Sequence, residues 1–280
     1  MPQTFPLKDR FKQSIRREVV RLFNDVNRGE APMPRSANAL FRPGSVVWRV
    51  HGDVGSMMVG GITSLMMQML HPSVLAGVWD HSNFRVDMHG RLRRTARFIA
   101  ATTYGDGQAA HAAIHRVRAI HEKVMGVLPD GTPYCANDPE LLAWVHVTEA
   151  TSFLAAWIRY GHPLMSAADQ DRYFAEMATV GHAMGADPLP RSGAEARAVI
   201  NAMRPKLKAD ARTEEVAKLI LGRPDMSAKG LPRRLAMQAA VDLLPSWARR
   251  MHRLSMSPLE RPLVRAGTFG VVQTLRWAFR

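Results

Sequence analysis

The sequence predicts an all-α fold in a single globular helical domain, and three observations carry that expectation. Apolar residues recur at three- and four-residue spacing along most of the 280 residues, the period of a helix with one buried stripe. Alternating apolar and polar runs bounded by turn residues, the mark of strands, are almost absent. No Ser/Gly-rich linker or abrupt change of composition divides residues 1–280, and a chain of this length can bury a substantial core as one unit.

From Phe11 to Arg28 the apolar residues Phe11, Ile15, Val19, Leu22, Phe23 and Val26 fall on one helical stripe, with Lys12, Arg16, Arg17 and Arg21 on other sides. Two prolines make Gly29 to Arg35 a loop, after which Ser45 can cap a short helix through His51. Val54 to Trp79 contains no formally charged residue, which by length alone flags a membrane span. Gly60-Gly61, Gln68 and His71-Pro72 interrupt it, predicting a core helix ending near Leu70 and a shorter one from Pro72 to Trp79. A polar connection from Asp80 to Gly90 leads to two helices. One carries Arg91 to about Tyr104-Gly105; the other runs from about Gln108 to Gly126, with Gly126 as its C-terminal stop.

Asn137 or Asp138, followed by Pro139, caps a nearly all-apolar helix that ends at Gly161-His162-Pro163. Leu142, His146, Glu149, Phe153 and Trp157 share one of its faces, so a histidine and a carboxylate are expected to be buried together. Ser166 with Asp169 opens a helix to about Gly185. Further helices are predicted over Gly193 to Leu207, Arg212 to Leu221, Leu231 to Met251 with a kink at Pro245, and Pro258 to Phe279.

Lys plus Arg number 38 against 24 Asp plus Glu, a formal net charge of +14. These charges are scattered over helical faces without a compact basic segment, an aromatic-rich strand or a zinc spacing, which argues against specific nucleic-acid binding. Arg233, Arg234, Arg249 and Arg250 among Leu235, Val241, Leu244 and Trp247 predict weak, salt-sensitive association with anionic membranes. The lone Cys135 excludes an intramolecular disulfide framework and a Cys-rich metal site. Met1-Pro2-Gln3-Thr4-Phe5 lacks a basic segment followed by an apolar core, and Glu18 and Arg21 interrupt the stretch after Arg16-Arg17. A cytoplasmic location is therefore expected, peripheral to the membrane at most. No phosphate loop, dinucleotide fingerprint or Gly-x-Ser-x-Gly elbow gives positive support to a nucleotide-dependent enzyme or a hydrolase.

The chemistry concentrates between His71 and Gly126. Arg91 and Thr95 lie one turn apart on a face shared with Phe98. On the next helix His121 shares its face with Ile114, Val117 and Val124, while His111, His115, Arg118 and Glu122 fall on a wetter flank. A histidine projecting from an apolar helix serves either as an iron ligand or as a satisfied core residue, and the same two readings apply to His71 and His146. Arg91 and Arg94 could anchor haem propionates, or form a solvated basic face. A di-iron bundle needs repeated Glu-x-x-His pairs, which the chain lacks; non-haem iron is therefore the lesser alternative.

Val50-His51-Gly52-Asp53-x-Gly55-Ser56-Met57, Leu70-His71-Pro72, Asp80-His81-Ser82-x-Phe84, Arg91-Leu92-x-Arg94-Thr95, Val117-Arg118-x-Ile120-His121 and Trp144-Val145-His146 occur in that order along the chain. Together they resemble the MpaB-type oxygenases, a family that includes the latex-clearing proteins or rubber oxygenases. The resemblance spans roughly Trp48 to Ala186, inside a motif-bearing core of about 46–186, and a compatible helical part covers about 193–280. It implies a globin-reminiscent bundle holding one haem b and using dioxygen to oxidise or cleave double bonds of an apolar, isoprenoid- or lipid-like substrate. By position, His121 matches the proximal iron ligand, with His146 and His71 as alternatives, and Arg91 and Arg118 are candidates for contact with the cofactor. Arg91 and Thr95 match the distal Arg and Thr. Arg94 stands where latex-clearing proteins have a distal lysine, a third candidate catalytic position; their distal glutamate has no match, and Asp80 is the nearest acidic candidate in sequence. A haem-binding carrier or sensor without turnover is the competing function.

Overall fold

The computed structural model describes residues 7–222, 227 and 230–280. Among these the chain is all-α apart from one small hairpin, as the spacing predicts. The amino-terminal stretch Met1-Pro2-Gln3-Thr4-Phe5 lies outside the described residues.

Helix α1 (Leu7–Phe23) is followed by a 3₁₀ turn at Val26–Arg28, so the predicted helix from Phe11 to Arg28 starts earlier and ends sooner. Short α2 (Val46–His51) is capped by Ser45, whose side chain accepts from the Trp48 backbone N–H. The uncharged run forms α3 (Val54–Gln68) and α4 (Pro72–His81). His71 caps α4: its Nδ1 accepts from the Ser73 N–H at 3.3 Å, satisfying one of the donors a helix start leaves open. Helices α5 (Met88–Tyr104) and α6 (Gly107–His121) form an antiparallel hairpin across Gly105 and Asp106, and the caps are Asp87 and Asp106.

Helix α6 stops at His121 rather than Gly126. Gly126 lies in strand β1 (Met125–Val127), paired antiparallel with β2 (Pro133–Cys135) opposite Tyr134. A side chain at Gly126 would meet the Tyr134 hydroxyl at 2.7 Å, so this glycine is there for the ring that packs on it, not to stop a helix.

Helix α7 (Pro139–Ala156), capped by Asp138, runs into a π-turn at Trp157–Gly161. It packs most extensively on α3, and Trp144, Val147, Phe153, Val59, Ile62 and Met66 anchor the central core. Gly60 permits this approach, since a methyl there would meet the Phe153 Cα at 2.9 Å. The segment Pro139–Gly161 is long and apolar enough to cross a membrane by composition, but most of it is buried inside the core. Helix α8 (Ala167–Met184) ends at Gly185 with φ of 90°, the left-handed stop its sequence signals.

The carboxy-terminal part comprises α9 (Gly193–Met203) with a 3₁₀ turn at Arg204–Lys206, then α10 (Ala211–Leu221). The predicted kinked helix from Leu231 to Met251 is two helices, α11 (Leu231–Leu243) and α12 (Ser246–Met251). Pro245 has ψ of 145°, an extended value that no continuous helix accommodates. Helix α13 (Glu260–Phe279) then packs on α11, α1 and α3. Its contact with α3 brings the carboxy-terminal helices onto the central layer and makes one body of the chain.

Candidate functional site

Because α5 and α6 are antiparallel, Arg91 and His121 each lie roughly four turns from the connecting turn, at the same end of the hairpin. Contacts with α4 join the two. Arg91 Nη1 donates to Ser82 Oγ at 3.1 Å, and that hydroxyl donates to the Val78 carbonyl at 2.9 Å, holding the guanidinium against the end of α4. The neighbouring His81 Nε2 lies 3.1 Å from the Met125 carbonyl just beyond α6, and Gly77 faces Val124. The end of α4, the start of α5, the end of α6 and the β-hairpin therefore meet at one locality.

His121 is half-buried, as are Val117 and Val124, while Ile114 is buried and His111, His115, Arg118 and Glu122 are exposed, which is the division the helical spacing predicts. Its Nδ1 is a buried polar atom without a hydrogen-bond partner. Burial lowers the His121 pKa, and the nearby Asn137 amide opposes this by favouring the protonated ring, although Asn137 Oδ1 and His121 Nδ1 complete no hydrogen bond by geometry. The imidazole is neutral at pH 7, the form that binds a metal.

Arg91 is largely shielded, and burial first, Arg94 second, lower its pKa from the usual guanidinium value. Thr95 is exposed rather than inward, and its hydroxyl bonds back to the Arg91 carbonyl at 3.3 Å. An inward face cannot continue here because α5 is only half covered along this turn. Arg94, also exposed, stands 3.6 Å from Asp87. Arg118 points along the exposed flank and donates to the Ala183 carbonyl at 3.2 Å, so its guanidinium is engaged at the end of α8. Asp80 accepts from the Tyr134 hydroxyl at 2.8 Å, which ties it to the hairpin.

The alternative ligands sit differently. His71 is occupied as the α4 cap, and burial takes its pKa to about 4. His146 is wedged against α8, where a methyl on Gly181 would stand 3.1 Å from its Cε1 and Nε2, leaving that edge no room for a macrocycle; burial takes its pKa to about 4. Glu149, half-buried one turn later, is pushed by burial to about 7, so the predicted internal histidine and carboxylate are both there.

Sequence reasoning misses Ser82 as the partner of Arg91 and Asn137 as the neighbour of His121. Ser82 stands inside the Asp80-His81-Ser82-x-Phe84 motif, a signal that could mark it; Asn137 is readable only as a helix cap, the role that falls to Asp138.

A haem needs one neutral imidazole with a free nitrogen and a cation for its carboxylates. A neutral ring with an orphaned nitrogen lies at the end of the hairpin where a shielded arginine stands, so the residues fit the group. Exposed Val86, Ile120, Met125 and Val127 occur in the segments that flank it.

The fold and this end of it define a helical domain with a candidate cofactor-binding site. Residues 48–277 match the family described as ER-bound oxygenase mpaB/B'/Rubber oxygenase, catalytic domain, and the chain belongs to that family. The match includes α11 to α13, well beyond the motifs that end near Ala186. No curated protein and no solved structure matches the chain.

Proposed function

We propose that this oxygenase is b-type haem-dependent and acts with dioxygen on double bonds of an apolar, isoprenoid- or lipid-like molecule. The observation that supports this best is the neutral, half-buried His121 with its unpartnered ring nitrogen, in a chain of the oxygenase family. Haem, when bound, supplies the oxygen chemistry that side chains lack. His121 would hold the iron. Arg91, steadied by Ser82, offers a fixed positive charge either to a haem carboxylate or to charge developing on oxygen, and Thr95 adds a hydroxyl on the open side of α5. Arg94 cannot serve as a proton acceptor, because a guanidinium keeps its charge at working pH. Apolar substrate would be drawn from an anionic membrane to which the chain binds peripherally, with the cytoplasm as its compartment.

The test is a visible spectrum of protein expressed with ample haem, followed by oxygen uptake with a panel of isoprenoids and unsaturated lipids. A Soret band with substrate-dependent uptake is expected. Colourless, iron-free protein overturns the cofactor; a haem protein inert toward every substrate is a carrier or sensor.

A further inference from the structure

Far from this site, the Asp242 carboxylate on α11 is 1% exposed and gripped from two directions. Arg265 of α13 holds it with two bonds, Nε to Oδ2 at 2.7 Å and Nη2 to Oδ1 at 3.2 Å, and Arg159 in the π-turn donates to Oδ2 at 3.0 Å. Arg261 Nε stands 3.7 Å from Oδ1, beyond hydrogen-bond reach, and that nitrogen is buried with no partner. Arg249 of α12 adjoins Arg261, and its Nη1 is also buried with no partner.

A structural staple needs one arginine in two-bond contact with one carboxylate. Here the hydrogen bonds of the carboxylate go to Arg265 and Arg159, and two further guanidiniums share its single negative charge, Arg261 as an ion pair at 3.7 Å and Arg249 beside it, with a buried donor on each left unbonded among the described residues. The nearest carboxylate in sequence, Glu260, is turned back to accept from the Ser257 N–H at 3.1 Å. Bringing like charges together and burying their donors unpaired is costly, unless a further anion completes the cluster. Arg159, Arg261 and Arg265 are each more than a third exposed, so the cluster opens to solvent on its outer side.

We propose that Arg249 and Arg261, flanked by Arg159 and Arg265, bind a phosphate-bearing anion. A carboxylate would occupy a single guanidinium fork, whereas a phosphate carries more charge and three acceptor oxygens, enough to meet donors arriving from α12 and α13 together. The phosphate belongs either to a soluble phosphoester or to a lipid headgroup; Leu259 and Leu263, 83% and 73% exposed at the start of α13, are placed to meet a bilayer in the second case. This anion site is independent of the haem reading.

The experiment titrates the full chain with inorganic phosphate by calorimetry, at constant ionic strength against chloride. In parallel it floats the protein with phosphatidylcholine vesicles with and without phosphatidic acid. Arg249→Gln leaves every hydrogen bond to Asp242 intact and is the primary variant; Arg261→Gln is the second. Binding in either arm that weakens about tenfold or more in Arg249→Gln supports the site, and the responding arm identifies the source of the phosphate. Absence of phosphate heat together with equal recovery on both vesicles, or binding unchanged in both folded variants, overturns it.

Discussion

His51, His71 and His252 are buried elsewhere in the molecule and His121 is half-buried on the α5–α6 hairpin, and the four rings end in different states. His51 of α2 is fully engaged: Nδ1 lies 2.8 Å from Thr103 Oγ1 and Nε2 lies 3.0 Å from the Tyr173 hydroxyl, so both ring nitrogens are used. His71 caps a helix, and His252 Nε2 reaches the Met66 carbonyl at 2.8 Å. His121, at a half-covered end of the molecule, has a buried Nδ1 without a hydrogen-bond partner; the Nδ1 of His252 is unpartnered too, but its other nitrogen is committed. An inward histidine is therefore not yet a ligand. What separates the regions is whether packing has already committed the ring.

The sharpest way to break this contrast is His121→Ala. If the hairpin histidine is the one held for iron, the variant should lose essentially all of the Soret band, while His71→Ala and His146→Ala retain it. Loss of the band in His146→Ala with retention in His121→Ala would reverse the assignment.

Next in size, Arg91→Ala should keep its haem yet lower substrate-dependent oxygen uptake by about a hundredfold, the scale for removing one preorganised donor from developing charge. Thr95→Ala should cost less, because its exposed hydroxyl is satisfied on its own helix. Unchanged uptake in folded, haem-replete Arg91→Ala would leave that arginine the role of fixing α5 to α4.

On the other side of the comparison, His51→Ala should act on stability. It strands Thr103 and Tyr173 in the core and opens a cavity, a loss of roughly 2–4 kcal/mol in urea unfolding with haem content preserved per folded molecule. Haem loss out of proportion to unfolding would join the two regions into one site.

The smallest effect is in pH. His51, at about 3, and His146, at about 4, are held below the ordinary 6.5, so between those values and 6.5 the unfolded chain binds more protons and stability rises with pH. Glu149 has the opposite sign: raised to about 7, it keeps its proton in the folded chain, and stability falls as pH rises from its ordinary 4.5 to about 7. Glu149→Gln should therefore stabilise the protein at pH 8 more than at pH 5. Equal effects at both values would mean that the carboxylate is solvated.

How much of the molecule is readable in its sequence depends on how local each cause is. The inward turn of His121 comes from three- and four-residue spacing alone, and the caps at Ser45, Asp138 and Ser166 lie beside the helices they start. The hairpin from Met125 to Cys135 escapes because its strands have three residues each, too few to show alternation, and Gly126 reads equally well as a helix stop. Thr95 shares a turn with Arg91, but periodicity says nothing about where a neighbour's cover ends. The His51–Tyr173 bond and the Asp242 cluster join residues far apart in the chain, so their partners become visible only when α2 meets α8 and α11 meets α13. For the same reason Arg249 reads with Arg233, Arg234 and Arg250 as one basic face, although it turns inward to the carboxylate's neighbours.

The π-turn at Trp157–Gly161 has a geometric consequence for the helix it ends. It takes up one residue more than an α-helical turn, and each residue is worth about 100° of azimuth, so the chain leaves α7 with a rotated phase. Upstream, His146 and Phe153 keep the angular frame that meets α3 and α8; within the turn, Arg159 is aimed at α11. Gly161 makes the wider turn feasible, since a side chain there would collide with the Trp157 indole. Deleting Ile158, just before Arg159, would shift that side chain by about 100° and swing it off Asp242, so the turn sets the direction in which the end of α7 delivers its last side chains.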